Sequence, residues 1–194
     1  PSGPLWSAQG DQANARFGEA VAPAGDVNGD GFDDVLVGTP YFNDETVDEG
    51  RVFLYYGSAD GPSAAPSWTA ESNQADSQYG SAVAPAGDVN RDGYDDFVVG
   101  AYYYANGQAH EGRIYVYYGS DTTPGFPWTA ELNEEAAQLG RGVGGAGDVN
   151  GDGYADVVAG APTFNNAGDI GRIYVYFGSE TGMTSPPWHT GSPD

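Results

Sequence analysis

The stretch GDVNGDGFDD at 25–34 sets Asp26, Asn28, Asp30 and Asp34 at positions 1, 3, 5 and 9 of one short loop. GDVNRDGYDD at 87–96 repeats the pattern with Asp88, Asn90, Asp92 and Asp96, and GDVNGDGYAD at 147–156 repeats it with Asp148, Asn150, Asp152 and Asp156. Side-chain oxygens at alternate positions of a curled loop aim at one point. Gly31, Gly93 and Gly153 stand at position 6, where a sharp turn needs a residue without Cβ. Phe32, Tyr94 and Tyr154 follow at position 7, where the side chain cannot ligate but the backbone carbonyl can. Oxygen-only ligation with several carboxylates calls for a hard cation, and a cage made mostly of protein favours Ca²⁺ over Mg²⁺. Three such loops predict about three Ca²⁺ per chain.

Differences among the copies narrow the ligand set. Position 8 is Asp33, Asp95 or Ala155, so it is not expected to ligate, and position 9 is. Position 4 is Gly29, Arg91 or Gly151, which reads as an outward-facing site that tolerates a long charged side chain. An EF-hand is excluded: it needs a bidentate Glu at position 12 and flanking helices, and Val37, Val99 and Ala159 stand there instead. Metal-free Asx turns are the plainer reading of one such loop. Three copies with a fixed fourth oxygen favour the ion, because crowded carboxylates repel without one.

Charge and composition bound the rest. The net charge is −22, all six basic residues are Arg, and nine of the 28 acidic residues lie at matched loop positions. Such a chain lacks the basic patches that nucleic acid and anionic membranes require. No apolar run reaches the roughly 18–20 residues of a membrane span, so no membrane insertion is expected. There is no Cys, so disulfides say nothing of the compartment. Pro stands first, which reads as a processed or excised segment.

The elements that hold the loops also repeat. Trp6, Trp68, Trp128 and Trp188 are spaced 62, 60 and 60 apart. Between them run an aromatic- or Leu-Gly step, a small-residue run, the acidic loop, a short apolar run (VLVG, FVVG, VVAG) and a β-branched, aromatic run (VFLYYG, IYVYYG, IYVYFG). Four short strands per unit at this period predict an all-β chain of four-stranded antiparallel propeller blades, with almost no helix. The Ala- and Gly-rich run suits a strand near a central axis. The chain reads as a single array over 1–194, with blade repeats at about 6–67, 68–127 and 128–187, and 188–194 beginning a further Trp strand.

The order Phe17-Gly18, small-residue run, GDVNGDG, apolar strand, Gly160-Ala161-Pro162 and GRIYVY resembles FG-GAP repeats, the units of integrin α-subunit propellers and related bacterial and fungal propellers. The resemblance implies calcium loops between the first and second strands, on the lower face of the propeller. It implies ligand contacts on the opposite face, at the loops joining strands two to three and four to one. Those two-to-three loops, at 41–50, 102–112 and 162–171, carry Tyr41, Phe42, Tyr102, Tyr103, Tyr104, His110 and Phe164. Phe-Gly is literal once, and Tyr79-Gly80 and Leu139-Gly140 stand at its other positions.

Three blades do not close a ring, since closed propellers use about four to eight and the resembling family about seven. The expectation is a homo-oligomer, a dimer giving six blades, or part of a longer propeller. The leading functional reading is a secreted or cell-surface calcium-binding scaffold that recognises protein or glycan. The alternatives are a propeller enzyme acting on glycans, and an excised or engineered fragment whose only activity is self-assembly. With two His and no Cys nucleophile, a non-enzyme is the stronger expectation. The loop aromatics have a plainer role too, as packing between blades.

Overall fold

The structure is a computed structural model and describes residues 6–164 and 170–185 and the strand Trp188–His189. Twelve strands form three four-stranded antiparallel sheets, with no helix among the described residues. The first sheet runs β1 (Ala20–Gly25), β2 (Asp34–Thr39), β3 (Arg51–Tyr55), β4 (Trp68–Glu71). The second runs β5 (Ala82–Gly87), β6 (Asp96–Ala101), β7 (Arg113–Tyr117), β8 (Trp128–Glu131). The third runs β9 (Gly142–Gly147), β10 (Asp156–Ala161), β11 (Arg172–Tyr176), β12 (Trp188–His189).

The Ala- and Gly-rich strands take the inner positions. β1 packs against β5 and β5 against β9, with no comparable contact from β9 back to β1. The array is therefore open. Small side chains permit this close approach. The second strands lie mid-sheet and bury nearly every residue, which their continuous apolar runs predict.

The Trp-to-Trp period and the sheet are out of phase by one strand. Trp68–Glu71 closes the sheet that Ala20–Gly25 opens, so the described sheets span 20–71, 82–131 and 142–189. The Trp ring explains the phase, because it packs on the blade that follows. Trp68 meets Tyr117 edge-on at 4.9 Å and Trp128 meets Tyr176 at 5.2 Å. Trp6 makes the same contact to Tyr55 at 5.3 Å, without forming a strand.

The two larger apolar cores lie between blades, and a smaller one of Val37, Phe53 and Tyr55 with Trp6 and Phe17 belongs to the first blade alone. Leu36, Val52 and Leu54 of the first sheet bury against Tyr79, Phe97, Val99, Tyr115 and Tyr117 of the second. Val98, Ile114 and Val116 then bury against Leu139, Val157, Ala159, Tyr174 and Tyr176 of the third. Burying such side chains contributes about 1.5–3 kcal/mol each. Glycine sets how near the sheets come: a Cβ on Gly38 would lie 2.0 Å from the Gly80 carbonyl oxygen, and one on Gly100 1.9 Å from that of Gly140.

Candidate functional site

Each acidic loop joins the first strand of a sheet to its second. A bulge at the end of β1 and β5, between Pro23 and Gly25 and between Pro85 and Gly87, bends the chain into the loop. Position 6 takes the left-handed conformation in every copy, with φ of 90° at Gly31 and 94° at Gly93 and Gly153.

The side chains at positions 1, 3 and 5 curl around the loop's own amides. The Asp30 N–H donates to Asp26 Oδ1 and Asn28 Oδ1, both at 3.0 Å, which draws those two oxygens together. Gly31 N–H donates to Asp26 Oδ2 at 2.8 Å, Phe32 N–H to Asp30 Oδ1 at 3.0 Å, and the Asn28 amide to Asp30 Oδ2 at 2.9 Å. Asp88, Asn90 and Asp92 repeat this network, as do Asp148, Asn150 and Asp152. The Tyr154 N–H and the Asn150 amide hold the Asp152 carboxyl below the usual carboxylate range.

Position 9 behaves differently. Asp34 is buried, its Oδ2 accepting from Val27 N–H at 3.0 Å and its Oδ1 from Gly57 N–H at 2.8 Å. Asp96 bridges Val89 and Gly119, and Asp156 bridges Val149 and Gly178. This carboxylate braces the loop against the end of the third strand. Burial pushes the Asp34 carboxyl up to about 6 and the Asp96 carboxyl up to about 7, partly offset by those N–H bonds. Among the described residues, no three Asp, Glu, His or Cys side chains gather into a cage. What the loop gathers is two carboxylates and an amide oxygen, a hard-oxygen set with the position 7 carbonyl next in sequence. That chemistry suits Ca²⁺.

Adjacent loops are laced together, through residues the sequence did not single out. The Asp95 N–H donates to the Asp26 carbonyl at 3.1 Å, and Asp95 Oδ2 accepts from the Asp26 N–H at 2.9 Å. Ala155 N–H donates to the Asp88 carbonyl, without the second bond. Ser120 N–H donates to the Val27 carbonyl and Ser179 N–H to that of Val89. Position 8 is thus a latch between blades. Arg91 at position 4 is exposed, as expected, but it turns sideways over the Tyr154 ring at 5.3 Å. The signal for both was present in the sequence: Asp, Asp, Ala at position 8 and an unvarying Gly-Ser after each third strand.

The opposite face separates the seven loop aromatics into two groups. Phe42, Tyr104 and Phe164 occupy equivalent positions, capped by Arg51 at 3.6 Å, Arg113 at 3.7 Å and Arg172 at 3.9 Å. Each also packs edge-on against its own third strand, at Phe53, Tyr115 and Tyr174. Arg51 and Arg113 are held in turn by Glu71 and Glu131 of the outer strands. Phe42 is buried by these contacts, and Tyr104 and Phe164 are half-buried. Tyr41, Tyr102, Tyr103 and His110 remain at least partly exposed. Arg16 lies 4.4 Å over Tyr41 and Arg141 5.4 Å over Tyr102, while Tyr103 sits between Tyr102 at 4.3 Å and His110 at 4.6 Å. A groove of about 190 Å³ runs among Glu19, Tyr41, Gln78, Ser81, Tyr102 and Arg141.

Four-stranded antiparallel sheets with their inner strands together and an acidic loop between first and second strands define blades of an open β-propeller. The FG-GAP repeat model matches residues 17–55, 79–117 and 140–176, and the chain belongs to the FG-GAP repeat family. It is 36% identical to mouse integrin alpha-IIb over 169 residues, which is 81% of this chain and 16% of that protein. It is 30% identical to Xenopus laevis integrin alpha-5 over 168 residues, again 81% and 16%. Bovine integrin alpha-2 is 35% identical over 182 residues, 81% of this chain and 14% of the relative. The chain thus spans about a sixth of the length of these relatives.

Proposed function

We propose that this chain is a calcium-braced, integrin-like recognition module of the extracellular space, binding a protein or glycan partner and carrying out no catalysis. The observation that carries the reading is one hydrogen-bond network repeated in three loops, which draws the oxygens at positions 1 and 3 together on the position 5 N–H and ties the position 5 carboxylate to the position 3 amide. Asp26, Asn28 and Asp30 would hold the ion in the first loop, and the corresponding residues in the others. The carbonyls of Phe32, Tyr94 and Tyr154 and a remaining lone pair of Asp34, Asp96 and Asp156 would complete the shell. Calcium would neutralise the loops and stiffen the latched face. Partner contact falls to the opposite face, where Tyr41, Tyr102 and Tyr103 offer aromatic surface beside Arg16 and Arg141.

Thermal unfolding tests the reading. Saturating Ca²⁺ should raise the melting temperature over EDTA, since an ion bound at about 1,000 times its Kd contributes about 4 kcal/mol per site. Asp26→Ala, Asp88→Ala and Asp148→Ala together should abolish the rise. A melting temperature indifferent to Ca²⁺ would contradict the reading.

A further inference from the structure

Inside the chain one interface occurs twice, and its two halves stand uncovered at opposite ends of the described array. On the leading side, Tyr79-Gly80 and Leu139-Gly140 are buried on the preceding blade, whereas Phe17 is half-exposed and Gly18 exposed. On the trailing side, Gly38, Gly50 and Val52 are buried, as are Gly100, Gly112 and Ile114. Their equivalents Gly160, Gly171 and Ile173 are not: Ile173 is 55% exposed where Val52 and Ile114 are 0%. Gly160, Gly171 and Ile173 line a groove of about 490 Å³. On the leading face Phe17, Phe53 and Tyr55 line a second groove of about 340 Å³. The acidic-loop face repeats the asymmetry, with Val149 55% exposed where Val27 and Val89 are 0%.

We propose that the leading face of a second copy of this chain docks on the trailing face of the first, head to tail. The Phe17-Gly18 backbone takes the groove at Gly160 and Gly171, as Tyr79-Gly80 takes Gly38 and Gly50. Ile173 and Val175 enter the groove at Phe53 and Tyr55. Asp33 supplies the latch, its N–H to the Asp148 carbonyl and its carboxylate to the Asp148 N–H, as Asp95 does for Asp26. Ser58 N–H meets the Val149 carbonyl. Such a contact closes into a ring if the rotation permits and otherwise runs on as a filament.

Sedimentation of the chain across the micromolar range tests the proposal, with Gly160→Val and Ile173→Asp as variants. A Cβ on Gly160 meets nothing nearer than the Gly142 carbonyl oxygen at 3.9 Å, and Ile173 is exposed, so both variants fold. Unchanged melting of each monomer checks this. The expected result is a dimer or longer assembly for the parent chain, weakened at least about tenfold in both variants. A parent chain that stays monomeric overturns the proposal and leaves the groove to a further repeat on the same polypeptide. Assembly that both variants retain also overturns it, by placing the contact elsewhere.

Discussion

The second and third sheets have the same strand order and similar strands, yet their burial differs. All six residues of β6 are buried, while β10 leaves Val158 and Gly160 half-exposed. Ile114 is 0% exposed and its equivalent Ile173 is 55%. Each blade has a sheet on both sides in the second case and on one side in the third. Burial in this fold is therefore supplied by the neighbour, not by the blade's own sequence. The same substitution should have different consequences in the two sheets.

The largest contrast is at the glycines. Gly100→Val drives a side chain into the Gly140 carbonyl and should cost about 3 kcal/mol or more. Gly160→Val at low protein concentration should change stability by less than about 0.5 kcal/mol. Urea melts of both variants measure the difference, and equal losses would break the comparison.

Next come the tyrosines. Tyr79 and Tyr117 share a buried hydroxyl bond of 2.7 Å, while Tyr176, whose neighbour at the equivalent position is Leu139, has a buried hydroxyl without a partner among the described residues. Tyr117→Phe strands the Tyr79 hydroxyl and should cost about 1–2 kcal/mol. Tyr176→Phe should be neutral or slightly stabilising. Thermal melts check the sign of each.

The latch gives a smaller effect. Asp95→Ala removes the bond to Asp26 N–H and should cost about 1 kcal/mol. Ala155→Asp should install the same bond to Asp88 N–H and gain up to about 1 kcal/mol. A gain in the third loop without a loss in the second would contradict the latch.

The smallest effect concerns pH. Asp34 and Asp96 titrate near 6 and 7 when folded, above their ordinary 3.8. The folded state then holds more protons than the unfolded one between these values. Their contribution to the calcium-free fold is complete below about 4 and is lost as the pH rises through about 7. Melts in EDTA across that range, with Asp34→Asn and Asp96→Asn as the control, should show the steeper slope in the parent chain, since Glu71 and Glu111, also raised by burial, remain in both.

Much of this architecture was legible. The 60–62 residue spacing, the Ala- and Gly-rich inner strands and the buried second strands all follow from residue type and period. The sheet boundary was not, because Trp68 belongs by hydrogen bonds to one blade and by packing to the next. Phe42, Tyr104 and Phe164 read as loop aromatics because the Arg that caps each is brought over it only by the fold. The Asp95 latch was legible only as variation at position 8, because its partner is 69 residues away in another blade.

Native mass spectrometry of the chain in dilute calcium tests the central claim most directly. Three repeats of one loop network predict three Ca²⁺ ions per chain, each lost singly in Asp26→Ala, Asp88→Ala and Asp148→Ala. A chain that carries none would return these loops to plain acidic turns and contradict the account.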